Sequence, residues 1–472
     1  EGNLSKPSGI FVRLTELFPQ LAVEKDVLNR TGEAQTALAC GGVAPLRHLT
    51  EALQETMEGK PLGEPWTEML AWYQHHDDAK LTPIRKGLAF TNKQEALGRK
   101  VADALYKRDF DTALSLSPSR LERYARCAFS HLIQYGLKPE ERRVFAVAPR
   151  EIGDIYHQCL MELTAKLTLP DVPVTAPESP WMTMTREECR TFVEQTVARE
   201  TASYREGLFQ LGSEEQYRSR RIADICEKVC WVCIEQVRAG QILSSRFEVP
   251  FGRGRAIPPI AVEAEGRQIF IEGKIDRVDI LRGERVKIID YKTGNENFSK
   301  SEAEAGYRLQ LMLYLNACLG EHTGGAARKP AGVFYFHISE PMVDWSAKAP
   351  DAEKLAQEVR KNFKMNGVLV DDPQVIESIA GDFSGYSEIL PLRNGKDGIS
   401  ATGGDTLLSE TEFAALTETV SRKVTELCRD LAAGKIDIEP MKTRDRSACT
   451  YCQYKGICRF DTIFEGCRWR IV

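Results

Sequence analysis

The sequence has no run of about 20 apolar residues, so it offers no membrane-spanning helix. Its N-terminus lacks the basic-then-apolar pattern of an export signal. A cytosolic (cytoplasmic) protein without a membrane partner is therefore expected. The chain opens on Glu1 rather than methionine, as a piece of a longer or processed protein would. No G-x-x-x-x-G-K-[ST] phosphate loop occurs, which excludes an ATP site of that type. Cationic excess is lacking too: with a formal net charge of −5, the whole molecule does not attract nucleic acid by charge alone. Phosphate contacts must come from a partner or a local patch such as Pro118–Arg150, where Lys and Arg outnumber Glu.

Cysteine, by contrast, is plentiful. Thirteen thiols in a cytosolic chain argue against a disulfide framework and for metal ligation or simple burial. A chain of 472 residues holds two or three domains on a prior of about 100–200 residues each.

The stretch Ile271–Gly294 reads as a β-hairpin. Its arms, Ile269–Leu281 and Arg285–Lys292, are rich in Ile and Val and flank a turn at Arg282-Gly283-Glu284. A turn centred on Gly283 pairs Ile280 with Val286, Val278 with Ile288 and Asp276 with Asp290. Side chains alternate along strands, so these residues share one face with Lys292. Opposed carboxylates repel unless something compensates. A hard divalent cation such as Mg²⁺ would do so, with Lys292 beside it to orient or deprotonate a water or to stabilise charge on a phosphate. A surface hairpin with scattered charges is the alternative on these residues alone.

Residues 1 to about 115 read as helices, with apolar spacing at Leu46–Met57, Trp66–Tyr73 and Ala96–Leu105. Ser117 or Ser119 caps a helix that is expected to run through Cys127 to about Tyr135. The next helix, Pro149–Leu167, carries Gly153 and His157 one turn apart at the edge of an apolar stripe. Helical patterns resume over Arg186–Ala239, where Cys226, Cys230 and Cys233 fall on one face as core. A strand at Ser245–Phe251 precedes the hairpin. Beyond it come a polar loop, Thr293–Gly306, and a helix Tyr307–Leu319 with Gln310 and Tyr314 on one face. A strand Val333–Ile338 and a helix Asp351–Phe363 follow. The turn dipeptides of residues 366–406 predict loops, and Ser409 with Glu412 forms a capping-box pattern opening a helix to near Gly434.

The chain closes with Cys449-x2-Cys452-x5-Cys458, then Cys467. Three thiols so close together signal a metal, with Cys467 or a distant cysteine as fourth ligand; zinc and an iron-sulfur cluster both fit.

Together these residues resemble the RecB-like branch of the PD-(D/E)XK nucleases, and within it the nuclease part of AddB-type helicase-nuclease subunits. The matching elements are G-x3-H at Gly153 and His157, G-K-I-D-R-V-D at Gly273–Asp279, D-Y-K-T-G at Asp290–Gly294, Q-x3-Y at Gln310 and Tyr314, and the terminal cysteine triplet with upstream Cys127. They span about 115–465 in order. The resemblance implies an α/β fold, a restriction-endonuclease-like mixed sheet flanked by helices over 116–465, preceded by a helical region, 1–115, that is the tail of an inactivated helicase-like part. It implies a Mg²⁺- or Mn²⁺-dependent DNA exonuclease acting in double-strand-break repair. His157, Asp276, Asp290 and the carbonyl of Tyr291 would bind the metal, Lys292 would assist the attacking water, and Gln310 and Tyr314 would hold the DNA strand. Cys127, Cys449, Cys452 and Cys458 would hold a [4Fe-4S] cluster, leaving Cys467 out. The implied partners are DNA, as a single strand, and an AddA-like helicase-nuclease subunit. A non-catalytic DNA-binding scaffold and a self-standing nuclease are the competing readings.

Overall fold

The computed structural model describes residues 8–21, 36, 44–91, 93, 96–106, 113–140, 147, 149–170, 172–294, 296–321, 327–340, 352–444, 446–462 and 464–472. Part of the basic stretch before Arg150, residues 141–146, lies outside them. The chain divides into two compact units, Glu1–Asn92 and Lys93–Val472. In the first, helices Ala44–Met57, Glu64–His76 and Asp78–Leu88 close around Leu49, Trp66 and Leu81.

The second unit is built on a six-stranded mixed sheet whose strands lie side by side in chain order: β1 (Ile242–Phe251), β2 (Gly273–Leu281), β3 (Arg285–Lys292), β4 (Lys329–His337), β5 (Asn366–Val370) and β6 (Leu407–Leu408). β1, β2 and β3 run antiparallel in turn, β3 and β4 are parallel, β4 and β5 antiparallel, β5 and β6 parallel. The hairpin register pairs Arg277 with Ile289, Val278 with Ile288 and Ile280 with Val286, as the sequence predicts. The turn takes positive φ at Gly283 and Glu284, 72° and 56°, which explains the glycine at its centre.

Both faces of the sheet are covered, so its strands read as near-continuous apolar runs. Val278, Ile280, Val286 and Ile288 share a core with helices α1 (Pro118–Arg126), α5 (Gln310–Leu319) and α6 (Glu410–Ala432). Leu281, Ile289 and Tyr291 face the other way, into a core made with α2 (Pro149–Leu167), α3 (Arg186–Ser203) and α4 (Ser213–Ala239). Cys226, Cys230 and Cys233 are buried there as expected, beside Cys159 and Cys189. Ser409 and Glu412 form the capping box that starts α6. Among the described residues, no helix is long and apolar enough to cross a membrane.

Three expectations need correction. The first hairpin arm is two strands: Arg267–Ile271 leaves to join a small sheet with Leu114–Leu116 and Ile260–Ala264, and β2 begins only at Gly273. The helix through Cys127 is broken there, since Cys127 is extended (φ −166°, ψ 113°) between α1 and Ala128–His131. Residues 366–406 are not simply loops, because Asn366–Val370 is β5. A Cβ at Gly367 would lie 1.9 Å from Val333 O, so glycine here marks close strand approach rather than a turn.

Arg277 and Asp279 alternate with the residues of the Asp276 face and point into the second core. Arg277 Nε donates to Asp279 Oδ1 at 2.8 Å, Lys287 Nζ pairs with Asp279 Oδ2 at 2.7 Å, and Ser245 Oγ donates to the same carboxylate. The Arg277 guanidinium also sits over the Trp181 and Phe247 rings. Burial pushes the Asp279 carboxyl up, but Arg277 and Lys287 outweigh it and hold the group at about 2. Asp279→Asn should therefore cost about 3–5 kcal/mol, because two buried cations lose their anion, measured as a lower urea midpoint at neutral pH. Since the folded carboxyl titrates below its ordinary value, the penalty should be complete above about pH 4 and shrink as pH falls toward 2. An unchanged midpoint would mean that the network contributes nothing.

Candidate active site

The hairpin end carrying Asp276 and Asp290 meets the edge of α2. The stripe Ile155, Tyr156, Cys159, Leu160 and Leu163 is buried against the second core, which leaves His157 half-buried at the sheet. Its Nδ1 lies 3.7 Å from Asp276 Oδ2, and the same oxygen accepts the Tyr291 backbone N–H at 2.9 Å. Gly153, one turn earlier, brings α2 close to Thr293, whose side chain a Cβ there would touch at 3.7 Å.

Glu248, which no sequence pattern singles out, completes the group. His157, Glu248 and Asp276 each present a ligand atom within 4.8 Å of the other two. Around Glu248 the β1–β2 register pairs Phe247 with Arg277 and Val249 with Ile275, so Glu248 stands level with Asp276. Its φ of 49° is left-handed, a conformation that costs a non-glycine residue about 1–3 kcal/mol. Register counting across β1 could have found it; charge and spacing in the sequence could not.

Asp290 is buried. Burial and the negative charge of Asp276 raise its carboxyl to about 7, against the pull of Lys292. Burial raises Asp276 to about 6, partly opposed by the Tyr291 N–H and Lys292. Burial likewise lowers His157, which favours the neutral imidazole that metals bind. Burial also opposes the charge on Lys292, but Asp290 prevails and keeps its ammonium protonated above the ordinary lysine range. Lys292 Nζ pairs with Asp290 and donates to Gln310 Oε1 at 3.0 Å; Gln310 Nε2 donates to the Tyr314 hydroxyl at 2.7 Å.

The donor set suits a hard cation. Asp290 Oδ2 and Glu248 Oε2 are buried, and although Lys292 and Lys274 lie beside them as ion-pair partners, neither oxygen receives an aligned hydrogen bond. Oxygen and imidazole ligands at one focus can bind Mg²⁺ or Mn²⁺.

The chain also brings distant cysteines together. Cys127 lies at the break after α1; its thiol is raised to about 11 by burial and senses Cys452 and Cys458. Cys449, raised to about 12 by burial, senses Cys127, Cys452 and Cys458. Cys467 is buried and is sensed by Cys458. A tetrahedral zinc site with Zn–S near 2.3 Å needs sulfurs roughly 3.8 Å apart. Among the described residues the set of three ligating atoms mutually within 4.8 Å is that of His157, Glu248 and Asp276, so these thiols are spread more widely. Such spacing suits a polynuclear cluster with thiolates on its outer corners.

Residues 115–459 match the profile of the PD-(D/E)XK nuclease superfamily. Relatives over the whole chain include the B subunit of the ATP-dependent helicase/deoxyribonuclease of Alkaliphilus oremlandii, 32% identical, with 100% of this chain aligned to 41% of that protein. The protein of the same name from Alkaliphilus metalliredigens is 31% identical (100% and 40% covered), and that from Clostridium botulinum strain Hall 28% (100% and 41%). The chain thus spans about two-fifths of the length of these relatives.

Calorimetric titration with Mn²⁺ should show one binding event that Glu248→Gln weakens roughly 10- to 100-fold, a loss typical of removing a supporting group. Because protons occupy Asp290 and Asp276 up to about 7 and about 6 without the ion, affinity should rise with pH from 6 to 8 as fewer protons are displaced. Affinity unaffected by both pH and Glu248→Gln would place the ion elsewhere.

Proposed function

As the chain belongs to the PD-(D/E)XK nuclease superfamily, we propose that it is the nuclease part of a helicase-nuclease subunit, a metal-dependent DNA exonuclease that hydrolyses phosphodiesters during double-strand-break repair in the cytoplasm. The observation that carries this reading is the convergence of Asp276, Asp290 and Lys292 from one hairpin face with His157 and Glu248.

His157, Asp276, Asp290 and the Tyr291 carbonyl would hold Mg²⁺ or Mn²⁺, with Glu248 as a further ligand. When bound, the ion polarises the phosphate and lowers the pKa of a bound water. The chain's own groups do the rest. Protonated Lys292 stabilises negative charge building on the phosphate and steadies the attacking water by donating a hydrogen bond. Gln310 holds the Lys292 ammonium in place, and Tyr314, hydrogen-bonded to Gln310, keeps that carboxamide turned toward it. Together Gln310 and Tyr314 would line the path of the DNA strand.

Cys127, Cys449, Cys452 and Cys458 would hold a [4Fe-4S] cluster, which ties the start of the nuclease domain, 116–465, to its end. The helical region 1–115 would be the tail of an inactivated helicase-like part. The names of the relatives favour a motor-coupled substrate: an AddA-like partner subunit delivering single-stranded DNA.

The test compares wild type, purified without oxygen, with Asp290→Ala in Mg²⁺-dependent cleavage of labelled single-stranded DNA. Cleavage should disappear in the variant while the broad visible absorbance of the cluster is unchanged. Equal cleavage in both would move the active site elsewhere, and wild type that cuts only with a helicase partner would rule out a self-standing nuclease. Cys449→Ser should abolish the visible absorbance and lower Tm; retention of a bound zinc ion and no absorbance in wild type would replace the iron-sulfur reading.

A further inference from the structure

Helix α1 buries a carboxylate that none of the chemistry above uses. Glu122 is 8% exposed, and its Oε1 accepts two backbone N–H groups, Leu309 at 2.7 Å and Gln310 at 2.9 Å. These N–H groups open α5, where a helix has no internal acceptors to offer. The N-cap residue of α5, Leu309, supplies no side-chain cap. The cap comes instead from a group far away in sequence, which sets a negative charge against the positive end of the helix. The second Glu122 oxygen is 3.4 Å from Arg126 Nη2. Arg126 donates in turn to Tyr307 O at 3.3 Å and stacks 4.5 Å from the centre of the Tyr307 ring. The turn Tyr307–Gln310 is thus gripped by one face of α1.

The first residue of α5 is the one that touches the lysine. Gln310, whose N–H Glu122 holds, accepts from Lys292 Nζ through its side chain and donates to Tyr314. We propose that Glu122 is a positioning residue for Lys292: by capping α5 it fixes where the Gln310 carboxamide stands, and that carboxamide with Asp290 sets the direction of the ammonium. The proposal rests on the nuclease reading of Lys292. It assigns α1, whose C-terminal end leads into Cys127, a direct line to the reacting group.

The test uses the 472-residue chain with its cysteine cluster intact. Glu122→Ala should lower kcat for single-stranded DNA roughly 10- to 100-fold, as a misplaced group does, with KM little changed. Glu122→Gln, which keeps an oxygen acceptor, should recover most of that loss. Glu122→Ala added to Gln310→Ala should lower kcat no further, since both act through one contact. Independently of activity, Glu122→Ala should speed hydrogen exchange in a peptide spanning 307–314 and leave peptides of β2 and β3 protected. Wild-type exchange at 307–314, full additivity with Gln310→Ala, or faster exchange throughout the sheet would each overturn the proposal. Wild type that binds Mn²⁺ but cuts no DNA would remove the nuclease reading instead, and the exchange result would then decide whether Glu122 caps α5.

Discussion

Two carboxylates on neighbouring antiparallel strands, both taken out of water, repel one another and resist ionisation. Asp276 and Asp290 are pushed up to about 6 and about 7 by burial, and Asp290 further by its neighbour. Much of the surrounding structure answers that constraint. Lys292 is held against Asp290, the Tyr291 N–H is turned to Asp276, and a neutral His157 stands where a cation would meet all of them. A site charged in this way is metastable alone and completed by a divalent ion. The same hairpin has to resist the strain, and it does so through its other face. In the run Ile275-Asp276-Arg277-Val278-Asp279, the alternation of a strand sends Asp276 to the chemistry and Arg277 and Asp279 to a buried ionic anchor with Lys287.

Glu248 shows where local strain has been accepted. A β-strand residue at φ 49° interrupts an otherwise regular pairing between β1 and β2. Nothing in the packing of Phe247 or Val249 requires it, for both flanking pairs are in register. The consequence of the kink is that a third acidic oxygen reaches the focus of His157 and Asp276. Backbone strain of this kind persists where surrounding structure enforces it, and it concentrates at functional sites.

The sequence pattern reaches the centre of the molecule and misses its supports, for physical reasons. The hairpin register follows from a short glycine turn and the two-residue strand period, both local, so it can be counted out from the residues alone. The helix Pro149–Leu167 is equally legible from its stripe. Glu248 is not, because its place depends on which strand pairs with β2. Glu122 is not, because capping across α1 and α5 is a tertiary contact. Asn366–Val370 looks like part of a loop region because its glycine reads as a turn signal until the backbone of Val333 is placed against it.

The break in the helix at Cys127 is where local and tertiary demands meet. Continuing α1 would have been cheap for the sequence Ala125–His131, which has good helix formers and no proline. Instead Cys127 adopts an extended conformation, its thiol among those of the C-terminal segment. That segment reaches back: the Arg470 guanidinium donates to the carbonyl of Ala125, and the Tyr124 hydroxyl donates to Lys435 O at 3.1 Å. On its opposite side α1 holds the first turn of α5 through Glu122 and Arg126. A short helix clamped at one end by the chain terminus and clamping the lysine's neighbour at the other cannot shift without moving both. The terminal cysteines therefore bear on the active site through α1, by a path of two hydrogen-bonded contacts, rather than by general loosening of the fold.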